Sequence, residues 1–318
     1  MNLLNEFFLL FLLLLAIGQS GSWAVTAAIQ LSKRVGLSEF ITSLFLVTTI
    51  SILPETLVSV ISAINGVPEI GFGTLLGSNV ADLTFVFGMV ALLAPNALRV
   101  ESRFIKNDYL FLSFLILPLL LGINGHYSRL DGILLIFGSV VFLYTLIRQD
   151  GSIKKRNRVK TATPALRYIL ALMASVLIMG VYAYYAVTHA TRIAEAFSIT
   201  PALIGLLVIA LGTTLPELIF SVRAARKEHD TLAFGDILGT VIIDITFVLG
   251  LTALIHPFSF NPRLVMITGL FMLLAGLFTL SLLRSDQKLT KTEGALLLVF
   301  YAIFVTIEFM LRNWNPFG

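Results

Sequence analysis

The sequence predicts an all-α polytopic membrane protein with ten transmembrane helices, arranged as two inverted five-helix repeats. Three observations predict this fold class: the composition, the spacing of the apolar runs and an internal repeat. The chain has 318 residues, of which 57% are hydrophobic and 13% are charged, and its mean hydropathy is +0.94. Such a chain is too apolar for an ordinary soluble domain, so we expect an integral membrane protein surrounded by the lipid bilayer.

Apolar runs of membrane-spanning length recur along the whole chain, and no gap between them is long enough for a separate soluble domain. The first run carries Glu6 but no preceding Lys or Arg, and it therefore lacks the basic flank of a secretory signal. We interpret it as the first span. The predicted spans cover residues 4–30, 39–64, 70–94, 107–124, 130–148, 165–190, 199–225, 231–256, 262–283 and 291–311.

The basic residues predict the orientation of these spans. Of the 22 Lys and Arg residues, 18 lie in loops after odd-numbered spans, and four lie on the other side: Arg129, Arg192, Arg263 and Arg312. By the positive-inside rule the odd loops are cytoplasmic, and both termini lie outside a plasma or inner cell membrane. This sorting by loop also accounts for the net charge of +4, so we expect no binding to nucleic acid.

An internal repeat divides the chain. Shifting the sequence by 162 residues places Leu53-Pro54-Glu55 on Leu215-Pro216-Glu217, and without a gap Asp82 meets Asp244 and Gly88 meets Gly250. Each copy holds five spans, an odd number, so the second copy crosses the membrane in the opposite sense. We expect a first repeat over 1–150, a basic cytoplasmic linker over 151–163 that lies near anionic lipid, and a second repeat over 164–318.

Four carboxylic acids occupy equivalent places in the two repeats. Glu55 and Asp82 are 27 residues apart, as are Glu217 and Asp244, and a turn lies between the members of each pair. A helix rises by ~1.5 Å per residue, so each pair shares one depth near the middle of the membrane. A charged group there costs about 2.5–3.5 kcal/mol and usually marks an ion path. Bound cations or protons must neutralise these acids.

Two prolines and two hydroxyl residues are expected to provide neutral oxygen ligands beside the acids. Pro54 and Pro216 have no N–H, so carbonyls around Ile50-Ser51 and Gly212-Thr213 are freed from the helix. Ser78 and Thr240 add hydroxyls one turn before Asp82 and Asp244, although such hydroxyls often bond to their own backbone. Carboxylates beside neutral oxygens form the shell of six to eight ligands that Ca²⁺ prefers.

Other metal chemistry is disfavoured by composition. The chain has no cysteine, which excludes disulfides and thiolate metal sites. The four histidines are expected at surfaces or interfaces because they lie near predicted span ends without the spacing of metal ligands: His126, His189, His229 and His256. Oxygen ligands alone favour Ca²⁺, Mg²⁺, Na⁺ or protons over Zn²⁺ and copper.

The motifs resemble those of the Ca²⁺/cation antiporter superfamily, and more closely its sodium/calcium exchanger branch. That family carries two inverted repeats of the type G-T-S-L-P-E followed by G-S-N-x-x-D/N. This chain reads T-I-S-I-L-P-E at 49–55 and G-S-N-V-A-D at 77–82, then L-G-T-T-L-P-E at 211–217 and G-T-V-I-I-D at 239–244. The resemblance implies a secondary antiporter, without enzymatic activity or a cofactor, that exports Ca²⁺ in exchange for Na⁺ by alternating access.

The resemblance also implies roles for particular residues. Glu55 and Glu217 would be the chief Ca²⁺ carboxylates, with help from the carbonyls of Ser51 and Thr213. Flanking sites for Na⁺ or protons would be shaped by Ser78, Asp82, Thr240 and Asp244.

Three departures from the family pattern leave H⁺ and K⁺ open as coupling ions. Ile52 replaces a hydroxyl that Thr214 keeps, and Val241 replaces the residue retained as Asn79. Both repeats end in Asp, where many exchangers pair an Asp with an Asn.

Other classes of function are weaker alternatives. Ala233-Phe-Gly-Asp236 approximates a G-x-G-D element of intramembrane aspartyl hydrolases, but Asp236 aligns with Thr74 and has no symmetric acid. We therefore expect Asp236→Asn to be mild. A channel is a closer alternative and would conduct Ca²⁺ without a counter-ion. A scaffold or protein-interaction role is the remaining alternative. The sequence does not predict an oligomeric state.

Overall fold

The computed structural model describes residues 3–35, 48–99, 108–150, 164–227, 229–286 and 288–311, and these residues are mostly helical. Helix α1 spans Leu3–Val35. Helix α2 has two segments, Thr48–Ser51 and Leu53–Ile64, and α3 comprises Pro68–Ala81, the π-helical segment Asp82–Val86 and Phe87–Leu93. Helices α4 and α5 span Asp108–Leu121 and Arg129–Asp150.

The second half of the described chain has the same order of elements. Helix α6 spans Ala165–Phe197. Helix α7 comprises Pro201–Ile204, the π segment Gly205–Ile209, Ala210–Thr213 and Leu215–Arg226. Helix α8 comprises Asp230–Ile243, the π segment Asp244–Val248 and Leu249–Ile255; α9 comprises the π segment Leu264–Gly269 and Leu270–Asp286; and α10 spans Lys291–Met310.

Helices form most of the described part of every apolar run that the sequence predicts as a span. Residues 39–47, the linker 151–163 and Arg312 lie outside the described residues. Within the described residues, seven helices are long and apolar enough to cross a membrane: Leu3–Leu31, Pro68–Leu93, Ala165–Phe197, Pro201–Arg226, Ala233–Ile255, Leu264–Arg284 and Lys291–Met310. The prediction of a helical membrane protein is therefore confirmed.

The repeat in the sequence recurs in the backbone. The segments Leu53–Ile64 and Leu215–Arg226 have equivalent boundaries, as do the π segments at Asp82 and Asp244. The residues at the two breaks also agree, since Ile52 has φ −70° and ψ −4° and Thr214 has φ −75° and ψ −2°. Equivalent residues therefore adopt equivalent local structure.

Two short β-ladders tie the helix ends together in two groups. Strand β1 (Leu98–Arg99) pairs with β4 (Lys288–Leu289), and the Arg99 N–H donates to the Asp230 carboxylate at 2.8 Å. Strand β2 (His126–Tyr127) pairs with β3 (Phe258–Ser259). Helix α8 begins beside the first ladder and ends beside the second. The two ladders therefore lie at opposite ends of the helices.

Paired glycines bring the halves into close contact. A Cβ atom on Gly88 of α3 would lie 2.7 Å from the Gly294 carbonyl oxygen of α10, and one on Gly132 of α5 would lie 2.7 Å from the Gly250 oxygen of α8. The offset of 162 residues converts one pair into the other. Small residues allow such close helix contact within a membrane, where van der Waals packing drives association. Helices α3 and α8 are the most deeply buried of the seven candidate spans.

Candidate ion-binding site

The candidate site is built where α2 and α7 break. Ile52 and Thr214 precede the segments that start at Leu53 and Leu215, and each segment has proline in its first turn. Around the first break, the Ile52 N–H donates to the Thr48 carbonyl at 3.1 Å, and the Thr56 N–H donates to the Ile52 carbonyl at 2.8 Å. The Ile50 carbonyl would normally accept from residue 54, which is Pro54 and has no N–H. The break thus leaves a carbonyl oxygen without its helical donor.

Glu55 and Glu217 are the third residues of the new segments. Each carboxylate therefore lies at the N-terminus of a helix, where the helix dipole favours negative charge. Both side chains are 0% exposed, and their oxygens accept no hydrogen bond from the described residues. A buried carboxylate without donors is costly unless a cation or a proton neutralises it.

Asp82 and Asp244 are the first residues of the π segments in α3 and α8. Such segments often occur at functional sites, because they change the direction of side chains within a helix. Both aspartates are fully buried, and among the described residues neither has a hydrogen-bond partner. Glu55 interacts electrostatically with Asp82, Glu217 and Asp244. The structure thus brings together the four acids that the sequence places at one depth.

The four carboxylates do not converge on a single point. In the part of the chain that the structure describes, no three acidic or histidine side chains are close enough to share one metal ion. In this geometry a bound cation would contact at most two of the carboxylates. Neutral oxygens would have to complete its shell, as they commonly do for Ca²⁺.

Hydroxyl groups from one repeat lie beside acids of the other. The Thr213 side chain lies beside the Glu55 carboxylate, and the Ser78 side chain lies beside the Asp244 carboxylate. Both hydroxyls donate to carbonyls of their own helices at 3.1 Å, which leaves oxygen lone pairs free to bind a cation. Ser51 and Thr240 are fully buried, and their hydroxyls form no hydrogen bond with described residues.

Asp236 is a fifth buried acid beside this centre. Its side chain is 0% exposed, it has no hydrogen-bond partner among the described residues, and it interacts electrostatically with Glu55, Asp82 and Glu217. The repeat aligns Asp236 with Thr74 rather than with an acid, and for this reason the sequence predicts no part for it in the ion site; the structure nevertheless places it near three of the four acids. The sequence does carry an indication of this location, because Asp236, Thr240 and Asp244 are spaced by four residues and therefore lie on one face of the helix.

Two other buried acids differ because they have basic partners. Glu6 contacts His189 and lies 3.5 Å from Nη1 of Arg192. His189 is buried to 8% exposure against Glu6 by α1 and α6, so of the two locations expected for it, a surface or an interface, the surface is excluded. Glu308 accepts from Arg263 at 2.9 Å. Glu6 and Glu308 thus have basic partners, whereas no described basic residue pairs with any of the five acids of the centre.

Comparisons with known proteins identify the family of the chain. The family model described as sodium/calcium exchanger protein matches residues 5–148 and 167–310. The sodium/calcium exchanger MaX1 of Methanosarcina acetivorans is 25% identical over 96% of this chain and 99% of its own length. The inner membrane protein YrbG of Escherichia coli is 30% identical over 78% of this chain and 79% of its own length.

The fold also has a counterpart among solved structures. The sodium-calcium exchanger NCX_Mj, soaked with 2.5 mM Na⁺ and 0.1 mM Ca²⁺, superposes with a TM-score of 0.68 at 24% sequence identity. The match covers 96% of this chain and 97% of that chain. The two proteins therefore share a fold over nearly their whole lengths.

Proposed function

Because this chain belongs to the sodium/calcium exchanger family of the Ca²⁺/cation antiporters, we propose that it exports cytoplasmic Ca²⁺ in exchange for Na⁺ by alternating access. One observation carries the proposal: two glutamates at the helix breaks and two aspartates at the π segments, related in pairs by the repeat, are buried near one another without hydrogen-bond partners among the described residues. Buried acids of this kind in a membrane protein mark an ion path. Members of this family are transporters, so family membership argues against the alternative that the protein is an intramembrane aspartyl hydrolase.

We assign the transported ions to particular carboxylates from the oxygen atoms that surround each one. Glu55 and Glu217 bind Ca²⁺, because carboxylates at adjacent helix breaks can be joined by freed carbonyls and hydroxyls in a flexible oxygen shell. Asp82 and Asp244 lie beside them and take part in binding the counter-ion. The proposed ion-binding set is Glu55, Glu217, Ser51, Thr213, Ser78, Asp82, Thr240 and Asp244.

The negative charge of the four carboxylates explains why alternating access would couple the movement of Ca²⁺ to that of Na⁺. Two carboxylates ~5 Å apart repel each other by roughly 3 kcal/mol at an effective dielectric constant of 20, so an empty centre resists rearrangement. Ca²⁺ or Na⁺ removes this repulsion, and transport of one ion is thereby coupled to return of the other. Helix α1 packs Gly21 against both Pro54 and Pro216, so a shift of α1 would act on both breaks together.

We further propose ten spans in two inverted five-helix repeats, with the ladder of β1 and β4 on the cytoplasmic side. The positions of equivalent residues support this topology. Leu98 lies in the ladder of β1 and β4, whereas its equivalent in the second repeat, Phe260, lies beside the ladder of β2 and β3 at the opposite end of the helices. Equivalent residues at opposite ends are what an inverted repeat requires. Both termini would then lie outside the cell membrane.

The topology predicts the side from which single cysteines react. The chain has no native cysteine, and both Lys227 and Arg129 are exposed. We expect Lys227→Cys to react with an impermeant thiol reagent only from the cytoplasmic side, and Arg129→Cys only from the outside. A third position, Lys155, lies outside the described residues and is expected to behave like Lys227. Labelling of Lys227→Cys and Arg129→Cys from the same side would contradict the inverted arrangement.

The coupling ion is predicted to be Na⁺. Ser51, Thr213 and Thr214 offer neutral oxygens near the glutamates, and Na⁺ needs such oxygens whereas a proton needs only a carboxylate. In proteoliposomes loaded with Na⁺ and diluted into Na⁺-free medium at equal pH, we expect ⁴⁵Ca²⁺ uptake that stops when the Na⁺ gradient is dissipated.

Matched gradients separate the alternatives. Uptake that ignores Na⁺ but follows an imposed pH difference would overturn sodium coupling, and Asp82→Asn would then be expected to abolish the response to pH. A requirement for K⁺ together with Na⁺ would indicate a potassium-dependent exchanger. Calcium flux down its own gradient without any counter-ion would indicate a channel.

A further inference from the structure

Asp236 breaks the twofold relation between the repeats. It precedes Asp244 by eight residues on α8, which places it ~12 Å nearer the proposed cytoplasmic end of that helix. Its repeat mate, Thr74 on α3, donates to the Ile70 carbonyl at 2.8 Å and needs no other partner. An acid thus lies on the cytoplasmic approach to the centre, and a satisfied hydroxyl occupies the equivalent place on the outer approach.

Ser51 takes part in the same asymmetry. Thr213 lies beside Glu55. By the repeat, the equivalent residue Ser51 should lie beside Glu217. The Ser51 side chain lies instead beside the Asp236 carboxylate, although no hydrogen bond joins the two groups. Both groups are 0% exposed. The contact of Gly239 with Thr48 holds α8 against the first segment of α2, which carries Ser51. A buried hydroxyl and a buried carboxylate therefore face one another, and neither is satisfied by the described residues.

We propose that Asp236 and Ser51 form an additional site for a monovalent cation, Na⁺, on the cytoplasmic side of the four-carboxylate centre. One carboxylate with neutral oxygens suits a single positive charge, and the Ile50 carbonyl, which loses its usual helical donor because Pro54 has no N–H, is adjacent to Ser51 in the chain. The choice of Na⁺ rests on the proposed exchange function. Since Thr74 replaces the acid in the other repeat, the site has no counterpart on the outer side.

The number of bound Na⁺ ions tests this site directly. Equilibrium binding of ²²Na⁺ would be measured on the purified full-length protein in detergent without Ca²⁺. Asp236→Thr, which installs the residue of the repeat mate, is expected to bind one Na⁺ fewer per protein than the wild type. Thr74→Val is the matched control on the other repeat and is expected to bind the wild-type number.

Two further variants keep the test decisive. Asp236→Asn preserves the shape of the side chain and is expected to lose the same ion. Ser51→Ala keeps every carboxylate and is expected to weaken Na⁺ binding at the extra site by roughly 10- to 150-fold, since a hydrogen-bonding or ligating group beside a charge contributes about 1.5–3 kcal/mol. The proposal would be overturned if the folded Asp236 variants bound as many Na⁺ ions as the wild type. It would also be overturned if Ser51→Ala bound Na⁺ with the wild-type number and affinity.

A separate measurement tests the proposed function itself. Specific ⁴⁵Ca²⁺ binding is expected to disappear in Glu55→Gln, whatever the count of Na⁺ ions in the Asp236 variants. Persistent Ca²⁺ binding in Glu55→Gln would contradict the assignment of the centre, whereas an unchanged Na⁺ count in Asp236→Thr would contradict only the additional site.

Discussion

Glu55→Gln and Glu217→Gln are each expected to abolish Na⁺-driven Ca²⁺ uptake while the protein stays folded. Each change removes one negative charge from a carboxylate that is fully buried at the start of a helix segment. No cluster of three acids exists among the described residues to supply a substitute ligand. Because the amide nearly matches the carboxylate in size, packing is preserved, and we expect flux to fall at least about 100-fold, or ~3 kcal/mol.

The measurement is initial ⁴⁵Ca²⁺ uptake into proteoliposomes with equal amounts of folded protein. Glu69→Gln is the matched control, because it makes the same chemical change in the first turn of α3, away from the breaks, at a side chain that is only partly buried. We expect wild-type flux from this variant. Near wild-type flux from Glu55→Gln or Glu217→Gln would contradict the proposed Ca²⁺ ligands.

Glu308→Ala is expected to destabilise the fold by about 3–5 kcal/mol, the usual cost of removing one member of a buried ion pair. Arg263 Nη2 donates to both the carboxylate and the backbone carbonyl of Glu308 at 2.9 Å, and Thr268 contacts the other carboxylate oxygen. Glu308 is 0% exposed and Arg263 only 3%, so the single change leaves a buried guanidinium without its counter-charge.

A double variant separates loss of the pair from loss of packing. Arg263→Met combined with Glu308→Leu removes both charges and keeps much of the apolar volume, so we expect it to be more stable than either Glu308→Ala or Arg263→Ala. Thermal unfolding in detergent, followed by the amount of monodisperse protein, measures all of these variants. Equal or greater loss of stability in the double variant would show that an unpaired buried charge is not what destabilises the single variants.

The site was predictable from the sequence to the extent that it follows from local rules. Glu55 and Glu217 stand after Pro54 and Pro216, and proline interrupts a helix wherever it occurs in its interior. The equal spacing to Asp82 and Asp244 then places the four acids at one depth, because helix rise is constant. Ser78 and Thr213 illustrate the limit of this reasoning, since their assignment to acids of the opposite repeat depends on how the halves pack.

The sequence by itself determined a helical membrane protein, its family and the two broken-helix motifs, because hydropathy, proline chemistry and helix rise act within each segment. Only the tertiary structure decided which distant polar groups meet. It pairs Glu6 with His189 and Glu308 with Arg263, and it places Asp236 beside Ser51 with no hydrogen bond from the described residues to either side chain. The physical reason is that a buried charge is stabilised or left costly by groups on neighbouring helices, and sequence distance does not determine those neighbours.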